Sequence, residues 1–203
     1  MINKKQLIEY FYQGTKSKNK IKIGVEHEKF ILNKDTLLPV SYEEKNGIKN
    51  ILEKLTLTGW KPIYDDNQQT IIALKKGREA ITLEPGGQIE LSGAPLDNIH
   101  ETCEETSNHL RELKKLGNEL NFILLGMGVE PNLGLDDFPW MPKQRYGIMK
   151  KYMKKVGTLG HHMMKRTCTN QVNIDYSSEE DMVEKFRIML NLEAIATAMF
   201  SNS

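Results

Sequence analysis

Apolar and polar positions along the chain follow two rhythms, and the rhythm changes at identifiable punctuation. Residues 4–12 place Leu7, Ile8, Tyr10 and Phe11 as a short amphipathic helix would, with Gly14 closing it. Residues 21–32 read as a strand, and residues 42–57 as a helix ended near Gly59. Between Trp60 and Ser92, short runs rich in Ile, Leu and Thr (62–64, 70–74, 80–84 and 88–91) are separated by Asp65-Asp66-Asn67, Lys76-Gly77 and Pro85-Gly86-Gly87. That alternation predicts antiparallel strands joined by tight turns. From Leu96 onward Ile99, Cys103, Thr106, Leu110 and Leu113 recur at steps of three and four, predicting a long helix packed on the sheet with Cys103 as a small core residue. Residues 122–127 read as a buried strand. Pro131, Pro139 and Pro142 make 131–142 an irregular loop, since each interrupts a ladder or helix. Helical spacing returns at 145–155, residues 167–175 alternate as a strand, and Ser177 with Glu180 forms a capping box for a last helix. Strands interleaved with helices through hairpins indicate an α+β fold built on an antiparallel sheet.

The last helix is almost wholly apolar from Ile188 to Phe200, so it expects cover on every side, and the chain reads as truncated at Ser203. With 203 residues, 39% hydrophobic and 27% charged, residues 1–203 are expected to form one domain or the N-terminal portion of one. A net charge of +1 gives no bulk attraction to nucleic acid or an anionic membrane, so neither is expected as a partner. The longest uncharged apolar run, 122–129, falls far short of the roughly 20 residues that span a bilayer. Glu9 sits where a signal peptide needs its apolar centre, and the only cysteines, Cys103 and Cys168, have no paired spacing; both point to the cytoplasm. Lys16, Lys18, Lys20 and Lys22 read as a solvated loop, and adjacent His161 and His162 lack partners for a zinc set.

Chemistry enters through carboxylates. Strand parity puts Glu26 and Glu28 on one face, opposite Ile23 and Val25, and places Glu84, Gln88, Glu90 and Ser92 together if no bulge intervenes. Thr169, Gln171 and Asn173 share a face in the same way. Two carboxylates two positions apart on a strand lie about 7 Å from each other and repel by about 2 to 3 kcal/mol at an effective dielectric near 20. Four in one concave site are tolerable only with shared protons, open water or bound cations, and Mg²⁺ suits hard oxygen ligands. An ordinary solvated strand face remains an equal reading at this level. No Gly-Lys-Ser/Thr phosphate loop is present, so a bound nucleotide would be held through metals and side chains.

The runs Gly24-Val25-Glu26-His27-Glu28-Lys29-Phe30 and Ile81-Thr82-Leu83-Glu84-Pro85-Gly86-Gly87-Gln88-Ile89-Glu90-Leu91-Ser92-Gly93-Ala94-Pro95-Leu96 resemble signatures of plant-type glutamate-cysteine ligase, the form shared with many proteobacteria. So do Met141-Pro142-Lys143-Gln144-Arg145-Tyr146, Val156-Gly157-Thr158-Leu159-Gly160 and Arg166-Thr167-Cys168-Thr169-Asn170-Gln171-Val172-Asn173-Ile174-Asp175. The departures are small: Val25 stands where threonine is common and Asn170 where an apolar residue is common.

The resemblance implies a glutamine-synthetase-like fold, a curved antiparallel sheet holding Mg²⁺, ATP and amino acid, and the first step of glutathione synthesis. In that reaction the γ-carboxylate of glutamate attacks the γ-phosphoryl group of ATP, and the cysteine amine then displaces phosphate from γ-glutamyl phosphate. It also implies Glu26, Glu28, Glu84 and Glu90 as metal ligands, with Gln88, Gln171 and Asn173 orienting metal waters or substrate. Arg145 is implied as a clamp on the amino-acid carboxylate and Arg166 as a weaker candidate for phosphate stabilisation. The implied partners are glutamate, cysteine, ATP and the remaining C-terminal part of the enzyme, with a homodimer allowed. A cysteine in the helix of Cys103 takes part in a regulatory disulfide in plant members. Two other readings stay open: a carboxylate-amine ligase with another amine acceptor, and a non-catalytic Mg²⁺-nucleotide-binding paralogue or fragment.

Overall fold

The computed structural model describes residues 2–66 and 69–201. In chain order its elements are α1 (Lys4–Gln13), β1 (Ile23–Asn33), α2 (Ile48–Thr56), β2 (Lys61–Tyr64), β3 (Ile71–Lys76), β4 (Glu79–Leu83), β5 (Ile89–Ser92), α3 (Ile99–Leu120), β6 (Phe122–Leu125), α4 (Gln144–Val156), α5 (Gly160–Arg166), β7 (Asn170–Ile174) and α6 (Glu179–Phe200). They divide into two compact units, a large one of Val25–Gln171 and a small one of Met1–Gly24 with Val172–Ser203. Asn67, the third residue of the expected Asp65-Asp66-Asn67 turn, lies outside the described residues.

In the large unit the strands run in the order β2-β3-β4-β5-β1-β6, each neighbour antiparallel, and the sheet is open. The long strand β1 divides its length between two partners. Glu26 to Lys29 pair with Ser92 to Ile89 of β5, and Phe30 to Asn33 pair with Leu125 to Phe122 of β6. Register aligns Leu74, Ile81 and Leu91 across β3, β4 and β5, with Leu83 opposite Ile89, and all five are fully buried. Ile48, Ile51, Leu52 and Leu55 of α2 recur at helical spacing as one stripe and are equally buried. Each such side chain contributes about 1.5 to 3 kcal/mol of burial, which fixes this face as the core. The α+β architecture with an antiparallel sheet is therefore as the sequence pattern predicts.

Several local expectations change. The second helix begins at Ile48 rather than 42, because Tyr42 leaves the helical pattern to donate its buried hydroxyl to Ile71 O at 2.8 Å. Cys103 is exposed, as is Ile99, so the first half of the expected α3 stripe faces solvent. The buried positions are His109, Leu113, Leu116, Gly117 and Leu120, where α3 meets α2 and β6. A Cβ on Gly117 would lie 2.6 Å from Phe122 O, so the missing side chain allows that approach. Asn121, with φ +63°, then reverses the chain directly into β6. The short helix α5 takes up the sequence before Thr167, and the expected 167–175 strand contracts to β7.

In the small unit α1 opens with a reciprocal cap: Asn3 Oδ1 accepts from Gln6 N–H and Gln6 Oε1 from Asn3 N–H, each at 3.0 Å. The cap of α6 falls one residue later than expected: Ser178 Oγ accepts from Asp181 N–H at 3.2 Å. Ser177 instead donates its N–H and hydroxyl to the Asp181 carboxylate, which also pairs with Lys185 at 2.9 Å. These donors hold the Asp181 carboxyl down at about 2, the Lys185 hydrogen bond first among them. The expected apolar run on α6 is present as exposed side chains, including Ile188, Leu192, Ile195 and Phe200. Among the described residues, no helix is long and apolar enough to cross a membrane.

Candidate functional site

The core face of β4, β5 and β1 determines what the other face must carry. Alternation sets Thr82, Glu90 and Glu28 opposite one another across the three strands, and Ala80, Ser92 and Glu26 likewise. Glu84 extends the ladder by one residue, its N–H donating to Gln88 O at 2.9 Å. The chain then turns at Pro85-Gly86-Gly87, closed by Gly87 N–H to Glu84 O at 3.0 Å with Gly87 at φ +91°. Glu90 of β5, Glu84 just past β4, and Glu26 and Glu28 of β1 thus reach the same side of the sheet.

On that side lies a cavity of about 830 Å³. Glu26, Thr82, Glu84 and Glu90 line its sheet wall, Tyr64, Asp65 and Asp66 continue it from the end of β2, and Lys143, Gln144 and Arg145 enter from the start of α4. Buried Tyr146 anchors that helix by donating its hydroxyl to Leu83 O. Lys143 Nζ donates to Leu83 O at 2.7 Å, and Arg145 Nη2 donates to the Tyr146 hydroxyl at 3.1 Å. The Arg145 guanidinium stacks 5.0 Å from the Tyr146 ring centroid and reaches within 4.0 Å of Glu84 Oε1. One aromatic anchor therefore holds two cations beside the acids.

The electrostatics follow from that crowding. Burial first, then the charges of Glu90 and Glu28, push the Glu84 carboxyl up to about 7, against the pull of Lys143. Ser92 donates its hydroxyl to Glu90 Oε1. Burial also raises Glu28, with Glu90 and Glu26 adding to it and the Thr169 donors opposing. Burial and neighbouring Arg145 lower Lys143 to about 8, although Glu84 and Glu90 favour its charge. Carboxyls held above their usual range beside a depressed lysine mark a site that gains from a bound cation or from an anionic substrate balanced by one.

The sequence-derived candidates separate in the structure. Glu26, Glu84, Glu90 and Arg145 meet at the cavity. Glu28 belongs to the same face by register, but Thr169 binds both its oxygens, N–H at 2.9 Å and hydroxyl at 2.8 Å. Gln88 is a correction: only 1% exposed, it accepts from Gly86 N–H at 3.0 Å and donates to Thr167 O at 2.7 Å. A buried amide must satisfy both ends, and the turn at Gly86-Gly87 aims this one at the chain leaving α5 rather than at a ligand. Gly86 serves the same packing, since a Cβ there would lie 2.6 Å from Lys165 O. Arg166 donates to Glu130 O at 2.8 Å and meets His162 Nδ1 at 3.2 Å, tying α5 to the preceding loop, while its Nε has no hydrogen-bonding partner among the described residues. Gln171 is exposed at the end of the large unit and Asn173 is exposed in the small one. His161 is used structurally, its Nε2 2.8 Å from Lys150 O.

Among the described residues no three His, Cys, Asp or Glu side chains converge as a ready-made metal set. The four glutamates supply an acidic face rather than a closed cage. Lys143, Asp65 and Asp66 were not singled out from the sequence. Lys143 lies in the quoted run around Arg145, and Asp65-Asp66 read only as turn punctuation; hairpin register was the missing information.

Comparison with known proteins adds the ancestry. The model of glutamate-cysteine ligase family 2 (GCS2) matches residues 22–203. The chain is 49% identical over 202 residues to glutamate–cysteine ligase A, chloroplastic, of Oryza sativa subsp. japonica, covering 100% of this chain and 40% of the rice protein. It is 49% identical to glutamate–cysteine ligase, chloroplastic, of Nicotiana tabacum over 203 residues and 48% identical to that of Arabidopsis thaliana over 206, covering 100% of this chain and 38% of either relative. The chain thus spans about two fifths of the length of these relatives. The expected cytoplasmic placement is overturned, since these relatives are all named chloroplastic. Unpaired cysteines report a reducing compartment, and a plastid stroma satisfies that condition as well as the cytoplasm does.

Proposed function

We propose that this chain, which belongs to glutamate-cysteine ligase family 2, carries the acidic half of the active site of an ATP-dependent ligase joining the γ-carboxylate of glutamate to the amine of cysteine. The observation that carries the reading is the meeting of Glu26, Glu84 and Glu90 with Lys143 and Arg145 at one open cavity. Forming an acyl phosphate requires two anions, a carboxylate and a triphosphate, to approach each other. Charge management is the principal task of such a site.

Glu84 and Glu90, with Glu26 beside them, would hold Mg²⁺, and Glu28 would support the same field from its place on Thr169. Bound there, the metal ion would neutralise phosphate oxygens and draw ATP onto the acidic face. Arg145, pre-oriented by Tyr146, is placed to clamp the carboxylate of the amino-acid substrate, and Lys143 to balance charge on the transferring phosphoryl group. The glutamate γ-carboxylate oxygen then displaces ADP from the γ-phosphorus, and the cysteine nitrogen displaces phosphate from the acyl carbon as it loses a proton. A glutamine-synthetase-like sheet, continued by sequence equivalent to the rest of the relatives, belongs to the same reading. Support for that further partner comes from the exposed apolar side chains of α6.

The test is ADP release by the full-length protein with ATP, Mg²⁺, glutamate and a panel of amines. Turnover that requires cysteine is the expected result. Turnover indifferent to cysteine would transfer the assignment to another amine acceptor, and none at all would favour a nucleotide-binding role without catalysis.

A further inference from the structure

The sheet face that bears the acids changes character along its width. One rung of the register runs Ile63, Ala73, Thr82, Glu90 and Glu28, from β2 through β3, β4 and β5 to β1. Its apolar end therefore lies on the β2-β3 hairpin and its charged end on β5 and β1. Lys143 and Arg145 belong to the charged end, since Lys143 Nζ donates to Leu83 O and Arg145 reaches Glu84.

The hairpin end is shaped by a bulge. Ile63 faces Ala73 and Tyr64 faces Ile71, which leaves Ile72 as an extra residue on β3. With Ala73 on the cavity face, plain alternation would send Ile72 to the core side, yet Ile72 lines the cavity beside Ala73 and Tyr64. A bulge re-aims a side chain in this way. The turn after β2 is closed by Asp65, whose N–H donates to Thr70 O at 3.0 Å and whose Oδ1 accepts from Thr70 N–H at 3.4 Å. On this wall Tyr64 keeps 44% of its surface exposed, while Leu74 on the opposite face of β3 is fully buried.

We propose that the β2-β3 hairpin is the nucleoside subsite of this cavity: the purine base of ATP stacks on Tyr64 against Ile72 and Ala73, and Asp65 and Asp66 accept hydrogen bonds from the ribose hydroxyls. This rests on the ATP-dependent reading above and fixes the direction in which the nucleotide lies. Three strand spacings separate β5 from β2, about 14 Å, which is the reach of an extended nucleoside triphosphate from terminal phosphate to base. The two amino acids must bring their reacting atoms within about 3 to 3.5 Å of each other at the acids, and neither is long enough to reach the hairpin from there. Polarity gives the same order. Phosphates belong with Lys143 and Arg145, whereas Asp65 and Asp66 repel them and suit neutral hydroxyl donors, as an acidic residue does on the ribose of a bound dinucleotide. An aromatic ring flanked by aliphatic side chains offers a base its π-face.

The test uses the full-length protein and readouts that do not depend on turnover. With Mg²⁺ present, an azido-purine analogue of ATP should on irradiation label the peptide that carries Tyr64 and Ile72, and unlabelled ATP should suppress the labelling. By calorimetry, Tyr64→Ala should weaken binding of a non-hydrolysable ATP analogue about tenfold or more and leave binding of inorganic tripolyphosphate unchanged. Tyr64→Phe, which keeps the ring, should restore the affinity, and an unchanged urea midpoint checks the fold of both variants. Labelling confined to other peptides would overturn the proposal, as would equal weakening of the analogue and tripolyphosphate, or an unchanged affinity for the analogue in Tyr64→Ala. Failure of the ligase reading looks different. Nucleotide binding that depends on Tyr64, with no cysteine-dependent ADP release, would sink that reading and leave the subsite standing; cysteine-dependent turnover indifferent to Tyr64 would do the reverse.

Discussion

Strands β4 and β5 carry two chemically opposite faces on the same backbone. Ile81, Leu83, Ile89 and Leu91 point one way and are completely buried, whereas Thr82, Glu84, Glu90 and Ser92 alternate with them toward the open cavity. Stability and chemistry are thus separated by a single residue of register, and a one-residue slip would exchange them. The apolar face therefore does more than fill the core. It compels the acids onto the other face, where burial and the charges of Glu90 and Glu28 raise the Glu84 carboxyl.

The largest expected effect lies on the buried side. Leu83→Ala should cost about 2 to 5 kcal/mol of unfolding free energy, read as a lower urea midpoint, because Leu83 is fully enclosed. Next, Glu84→Gln on the open side should lower turnover of the full-length enzyme by about a hundredfold or more, while its urea midpoint stays level or rises as repulsion from Glu90 is removed. If Glu84→Gln unfolds the chain instead, the separation of the two faces fails. Glu28→Gln sharpens the same contrast: Thr169 holds Glu28 away from the cavity, so its effect on turnover should be the smaller, about tenfold.

His109 tests the buried side through pH. In the folded protein its ring stays neutral down to about pH 4, whereas the unfolded chain takes up that proton near 6.5. Between those values the unfolded state binds more protons, so this contribution to stability is present at neutral pH and is lost as pH falls. The stability difference between the protein and His109→Gln should therefore narrow by about 2 kcal/mol from pH 7 to pH 4.5, measured by urea titration at each pH. The smallest effect belongs to Cys103→Ser, which should change the urea midpoint by less than the equivalent of about 0.5 kcal/mol, because Cys103 is exposed.

Much of the fold was legible because it depends on short-range pattern. The extents of α1 and α4, the run of hairpins from β2 to β5 and the presence of a long α3 follow from spacing, caps and turn residues. What escaped was set by partners distant in sequence. Tyr42 abandons helical spacing for Ile71 O, Cys103 is exposed on α3, and Gln88 is spent on backbone leaving α5. Arg145 was recoverable from its family motif, whereas Lys143 required knowing that Tyr146 pins both cations to the end of β4.

By itself the sequence determined that this is an α+β chain whose strands place Glu26, Glu28, Glu84 and Glu90 on one face, since side-chain alternation is a local property of extended backbone. Only the tertiary structure decided which of them share a cavity, that Thr169 claims Glu28, that Gln88 is spent on buried backbone, and that Arg166 donates to Glu130 O. Those outcomes depend on which distant backbone groups need hydrogen bonds once buried, and that need exists only after the chain has packed.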